Sequence, residues 1–163
     1  MRITRTDEGT ITLSMVDPIC SHLLLEVTAA ARTEHPAAGE RLFSSPTQGR
    51  EPEFEMDWVE FVQPDLQHLF QSALEVVDAD LKGFPGTHSE EGATLSLAVA
   101  RLELWIHALN QARLALVAVH GFSEEEMEDG FASEGSRRAL VLFQVQFYGF
   151  LQECFLHELD GES

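Results

Sequence analysis

Positive charge is the scarcest property of this sequence. Among 163 residues there are ten Lys and Arg, of which Lys82 is the only lysine, against 28 Asp and Glu, so the formal net charge is -18. Such a protein repels phosphate backbones and anionic lipid, because nucleic-acid binding relies on clustered Lys and Arg that replace counterions. We therefore expect neither nucleic acid nor a membrane surface as a partner.

Cysteine is nearly as scarce, and long apolar runs are absent. Cys20 and Cys154 each lie in an apolar stretch, where a reduced thiol packs as a small hydrophobic group, so a disulfide framework is not expected. The N-terminus shows no apolar core followed by a cleavage pattern, and no run approaches about 18 uninterrupted apolar residues. These absences predict a soluble, cytoplasmic protein.

The sequence also lacks the motifs of common catalytic sites. GxSxG, GxGxxG, the P-loop and HExxH do not occur, and no Glu is followed three residues later by a His, as di-iron bundles require. A metal site built from Cys20, His22, Cys154 and His157 is conceivable, but buried thiols and structural histidines are the favoured interpretation. We predict no cofactor and no metal, and we favour a protein that is not an enzyme.

What the sequence does contain indicates a single, mainly α domain over residues 1–163. Hydrophobic residues make up 44% of the chain, enough for a core of its own. The patterns predict a bundle of about five helices with a short N-terminal β-hairpin. The predicted elements are the hairpin at 1–14, helices at 17–32, 53–82, 96–120 and 136–159, and loops at 33–51 and 83–94. A strand at Leu95-Ser96-Leu97, pairing with the hairpin, is the alternative for the start of the third long helix.

Local signals support these boundaries. Asp17 precedes a proline and is suited to cap a helix, and Gly121 is a natural helix stop. Pro64 is expected either to restart or to kink the second long helix. Ser123 with Glu126 forms a capping-box pattern that opens a short acidic turn or helix.

Acidic residues form two clusters. We interpret them as solvated faces, with a docking patch for a basic partner as the alternative. Their members are Glu51, Glu53, Glu55, Asp57 and Glu60 in the first, and Glu124, Glu125, Glu126, Glu128, Asp129 and Glu134 in the second.

Five residues of the two long C-terminal helices form the candidate site. Asn110 and Arg113 lie three apart, so a carboxylate such as Glu153 could accept hydrogen bonds from both. Trp105 and Tyr148 would be the walls of a small cleft for a carboxylate or amide ligand. The favoured interpretation is a polar network that fixes the register of the helices.

In these residues and their order, the chain resembles the bacterial family named domain of unknown function 2017. The resemblance covers nearly the whole chain and rests on Arg2-Ile3-Thr4-Arg5, Gly9 to Leu13, Arg41-Leu42-Phe43, Val62-Gln63-Pro64-Asp65-Leu66, Trp105, Leu109-Asn110 and Arg113-Leu114. It implies a small, acidic, mostly helical bacterial protein with no established activity. In actinobacteria, family members are often encoded beside the adaptor that feeds the Clp protease, which implies a link to regulated proteolysis.

These observations favour a non-enzymatic interaction or regulatory module, adaptor-like, that binds a protein partner or self-associates as a homodimer. The last helix has apolar residues on nearly every side, so it is either the central helix or a dimer seam. The alternative is a protein or enzyme that binds a small molecule between the two long C-terminal helices.

Overall fold

The computed structural model describes residues 1–7, 9–15, 17–86, 92–129 and 136–161. Within these ranges the fold is mainly α, with one small antiparallel sheet, as predicted. It contains more helical segments than the five expected. Residues 87–91 of the predicted 83–94 loop and Glu134 of the second acidic cluster lie outside the described residues.

The sheet contains three strands in the order β1 (Arg2–Asp7), β2 (Thr10–Met15) and β3 (Ala93–Ala98). The predicted hairpin is confirmed. The prediction of a helix from residue 96 is wrong, because β3 pairs with β2 in the register Ile11 to Leu97 and Leu13 to Leu95. These pairs share one buried face of the sheet, since side chains alternate between faces along a strand.

The predicted 17–32 helix is two helices, α1 (Pro18–Leu25) and α2 (Val27–Ala31). The Asp17 carboxylate caps α1 by accepting a hydrogen bond from the Ile19 N–H at 2.8 Å, as its position before a proline indicated. The break falls at Glu26, whose ψ of -2° departs from helical geometry. Its N–H is shared between the carbonyls of His22 and Leu23.

A third helix, α3 (Pro36–Phe43), occupies part of the predicted 33–51 loop. Pro36 occupies the first position of this helix, where no N–H is needed and proline is well suited. His35 precedes it, and its Nδ1 accepts a hydrogen bond from the Ala37 N–H at 3.2 Å. Ala38 is buried, so α3 belongs to the packed body of the protein.

The predicted 53–82 helix is α4 (Pro52–Asp57), a π-helical segment (Trp58–Val62) and α5 (Gln63–Leu81) in continuous succession. Pro64 explains the change of winding. It lacks an N–H, and its ring collides with the carbonyl four residues earlier in a regular α-helix, whereas a local π-turn relieves both problems. Pro64 therefore restarts the helix.

The C-terminal half contains α6 (Leu102–His120), α7 (Glu124–Asp129) and α8 (Arg137–Asp160). Gly121 ends α6 with a φ of 61°, the left-handed conformation that favours glycine. The capping box is confirmed, since the Glu126 N–H donates to Ser123 Oγ and the Ser123 N–H donates to Glu126 Oε2.

Helix α6 is the centre of the protein and contacts α2, α3, α5 and α8. Leu102, Trp105 and Leu109 on α6 are fully buried. Alanines at 108, 112 and 115 are buried as well, and their small side chains let neighbouring helices approach closely. The inner face of the sheet joins the same core.

By length and composition alone, α8 is one helix among the described residues that could cross a membrane. The core helix of a soluble protein meets the same criteria. Leu142, Val145, Leu151 and Phe155 of α8 are buried inside the protein, and the helix packs along α6. The structure is thus compatible with a soluble protein.

Candidate functional site

Trp105 connects α6 to α5 rather than lining a cleft. Its indole Nε1 donates a hydrogen bond to Asp80 Oδ2 at 2.9 Å, and Arg101 forms an ion pair with the other oxygen of the same carboxylate. The ring has no exposed surface and packs edge-on against Phe155, with centroids 6.1 Å apart. A buried indole requires such an acceptor, so this contact is structural.

Arg113 connects α6 to α8, but its acceptor is not the predicted Glu153. Its guanidinium Nη1 donates to Gln152 Oε1 at 2.6 Å, and Gln152 Nε2 donates to the Ile106 carbonyl at 3.2 Å. The guanidinium lies against Gly149, where an added Cβ would be 3.2 Å from Arg113 Cζ. Gly149 therefore allows the arginine to lie flat on α8, and the polar chain fixes the relative position of the two helices.

Tyr148 connects α8 to α1. The phenol donates a hydrogen bond to the Leu23 carbonyl at 2.6 Å and accepts one from Gln144 Nε2 at 2.8 Å. Burial raises the pKa of the Tyr148 phenol well above its ordinary value, so the group is neutral at physiological pH. Both of its hydrogen bonds are made within the protein.

The five residues of the predicted cleft therefore do not converge. Asn110 and Glu153 are exposed, whereas Trp105, Arg113 and Tyr148 make contacts with three different elements. None of the five lines any of three cavities that described residues form. A ligand-binding role for these residues remains a prediction, and the packing favours the register-fixing interpretation.

Metal ligands do not converge either. Within the described ranges, no three His, Cys, Asp or Glu side chains are grouped so that they could hold an ion. Cys20 and Cys154 are free thiols, and burial is the main cause that raises the pKa of each. Both are therefore poor nucleophiles at neutral pH.

The sequence did not predict that residues 52–62 are exposed to solvent. We call these residues the acidic helix segment. It comprises α4 and the π-helical segment, and not one of its eleven residues is buried. Six are apolar: Phe54, Met56, Trp58, Val59, Phe61 and Val62. Met56 is 70% exposed, Phe61 62% and Val59 59%. A helix this rich in apolar residues is normally covered.

Two contacts fasten this segment to α3 and the chain that follows it. The Glu55 carboxylate accepts hydrogen bonds from the hydroxyls of Ser45 and Thr47 and from the Gly49 N–H. The Trp58 indole donates to the Phe43 carbonyl at 2.8 Å. The helix is thus held along one side, and its other sides face solvent.

A groove of about 770 Å³ lies between this held side and α3. Phe43, Trp58 and Val59 give it an apolar lining, while Glu40, Arg41 and Glu55 supply charges. Its volume is within the range of about 300–1,000 Å³ that small-molecule pockets occupy, and it is open enough to accept a side chain. Val59 belongs both to the groove and to the exposed apolar surface.

The charge on the acidic helix segment itself has one sign. Between residues 51 and 81 the sequence has no Lys or Arg, while it has nine carboxylates. Glu53, Asp57 and Glu60 are exposed on the segment itself. Apolar and acidic side chains therefore alternate on one solvent-facing helix.

These features define a small, mainly α protein in which polar side chains connect the helices. Among its described residues, the most exposed large apolar side chains, Met56 and Phe61, lie on an acidic helix. The chain belongs to the family described as domain of unknown function (DUF2017), whose sequence profile matches residues 6–159. No curated protein and no solved structure shows significant similarity to the chain.

The contact between Arg113 and Gly149 predicts that Gly149→Ala changes the free energy of unfolding in opposite directions with and without the arginine. In the wild-type background, Gly149→Ala should lower the free energy of unfolding, because its Cβ displaces the guanidinium from Gln152. In an Arg113→Ala background the same substitution should raise stability by up to about 1 kcal/mol, the helix propensity of alanine over glycine. Denaturant unfolding of the four proteins of this double-mutant cycle measures the effect. Equal effects in both backgrounds would refute the contact.

The contacts of Glu55 predict a dependence of stability on pH. Hydrogen bonds from Ser45, Thr47 and Gly49 hold the pKa of Glu55 below its ordinary value of 4.5. The stabilisation is therefore complete above that ordinary pKa and is lost as pH falls through the lower pKa of the folded protein. Glu55→Gln should flatten the acid limb of the stability curve, whereas Glu53→Gln, at an exposed position on the same helix, should leave it unchanged. Identical curves for wild type and Glu55→Gln would contradict this assignment.

Proposed function

We propose that this protein is a non-enzymatic protein-interaction module that docks its partner on the acidic helix segment. The observation that supports this proposal is the exposure of Met56, Val59 and Phe61 on a helix with no buried residue. Apolar side chains kept in water contribute little to folding, and contiguous exposed apolar surface is typical of interaction sites.

The attachment of the segment to the body supports the same proposal. Glu55 and Trp58 hold the helix against α3, so its outer side chains are presented on a fixed backbone. A preorganised surface loses less conformational entropy when a partner binds. Such a fixed helix is suited to docking.

Self-association through α8, which the sequence favoured, has less support. Leu140, Phe150 and Leu156 are its exposed large apolar residues, and they are ten and six positions apart. At about 100° per residue, Leu156 lies more than about 100° around the helix from each of the other two. Phe143 and Cys154, on the same side of α8 as Phe150, are half-buried in the protein, so a second copy would gain less apolar contact there.

The family resemblance implies a link to regulated proteolysis, and an adaptor is one form that an interaction module takes. The docking surface and its mode of use can be tested before the partner is known.

Site-specific photocross-linking tests the proposal. A photoreactive amino acid at position 61 should yield a covalent adduct of discrete mass in the cells that produce this chain, because a bound partner covers Phe61. The matched control places the probe at Leu156 on α8, which is 48% exposed and also apolar. It should give no adduct.

A second variant tests whether the adduct depends on the apolar surface of the acidic helix segment. Met56→Gln combined with the probe at 61 should abolish the adduct while the protein remains folded. Equal adducts at both positions, or no adduct at 61, would contradict the proposal. An adduct with twice the mass of the chain would identify a homodimer instead of a heterologous partner.

A further inference from the structure

We infer that the partner of the acidic helix segment is a cationic amphipathic helix of another protein, with an apolar stripe flanked by Lys and Arg. This inference rests on the proposed function and adds the chemistry of the partner. The juxtaposition that supports it is exposed Met56, Val59 and Phe61 interleaved with exposed Glu53 and Asp57 on one helix.

Charge complementarity selects this partner over others. Anionic lipid and nucleic acid would be repelled by the exposed carboxylates of Glu53, Asp57 and Glu60, since the segment itself contains no Lys or Arg. A second copy is also disfavoured. In a two-fold dimer each patch meets its own equivalent, so Glu53, Asp57 and Glu60 would face like charges. A partner with Lys or Arg at its flanks converts the same carboxylates into attractive contacts.

The backbone of the segment favours a helical partner. Residues 52–62 are helical throughout, so they offer no unpaired strand edge for an extended peptide. When one helix packs its apolar stripe along another, it contacts residues that are three and four positions apart. Met56, Val59 and Val62 have that spacing.

The groove provides an anchor point for such a partner. It opens beside Val59, and Phe43 and Trp58 form its apolar lining. A single large apolar side chain of the partner would fit the volume of about 770 Å³. Buried anchors of this kind, surrounded by a polar rim, are typical of interaction hot spots.

Three synthetic 18-residue peptides test the chemistry, each with the same leucine stripe and with Lys, Gln or Glu on its flanks. Fluorescence anisotropy at low salt should show the Lys peptide binding at 1:1 stoichiometry at least tenfold more tightly than the Gln peptide. The Glu peptide should not bind. Raising the salt should weaken the Lys peptide most, because screening acts on its charge contacts.

Matched variants separate this site from general attraction to an acidic protein. The variant Glu53→Gln/Asp57→Asn/Glu60→Gln should weaken binding of the Lys peptide at least tenfold. The control Glu124→Gln/Glu125→Gln/Glu128→Gln removes three exposed carboxylates from α7 and should leave the affinity unchanged. In the same way, Val59→Gln should weaken binding at least tenfold and Leu156→Gln should not.

The outcomes distinguish failure of this inference from failure of the proposed function. Equal weakening by the two triple variants would mean non-specific charge attraction and would overturn the inference. Equal binding of the Gln and Lys peptides would overturn the cationic preference while leaving the docking surface intact. A position-61 adduct in cells, together with no binding of any peptide, would overturn the inference alone. Dimerisation that Val59→Gln abolishes would identify a second copy as the occupant.

Discussion

The burial of α6 is the constraint on which the rest of the structure depends. Only a few helices can pack around a single helix, and α2, α3, α5 and α8 pack around α6. Trp105, Leu109 and the buried alanines fill the space between these neighbours. With these neighbours in place, no residue of α4 or of the π-helical segment is buried in this core. The apolar residues of the acidic helix segment are therefore left facing water.

The polar groups in the core follow from the same constraint. Asp80, Gln152 and the Leu23 carbonyl each accept a hydrogen bond from a long side chain on α6 or α8. Apolar packing alone tolerates sliding of one helix along another, whereas a buried donor left without its acceptor is costly, typically about 1–3 kcal/mol. These contacts therefore specify one arrangement of α6 against α5 and α8, and of α8 against α1.

The sequence predicted the hairpin, the long helices and the caps at Asp17 and Ser123, because each depends on local periodicity or local hydrogen bonding. It did not predict the acceptor of Arg113. Glu153 and Gln152 are neighbours in sequence but about 100° apart around α8, and only tertiary packing decides which of them faces α6. Nor did it predict which helix would be left uncovered. The available signal was the alternation of acidic and apolar residues from Glu51 to Glu60, which leaves no side of that helix free of charge.

The central claim is that the apolar side chains of the acidic helix segment are there for docking and not for folding. The most direct test is the free energy of unfolding of the triple variant Met56→Gln/Val59→Gln/Phe61→Gln. Because all three side chains are largely exposed, we predict a change below about 1.5 kcal/mol, whereas Leu109→Ala in the core should cost about 2–5 kcal/mol. A loss in the triple variant as large as that of Leu109→Ala would contradict the account.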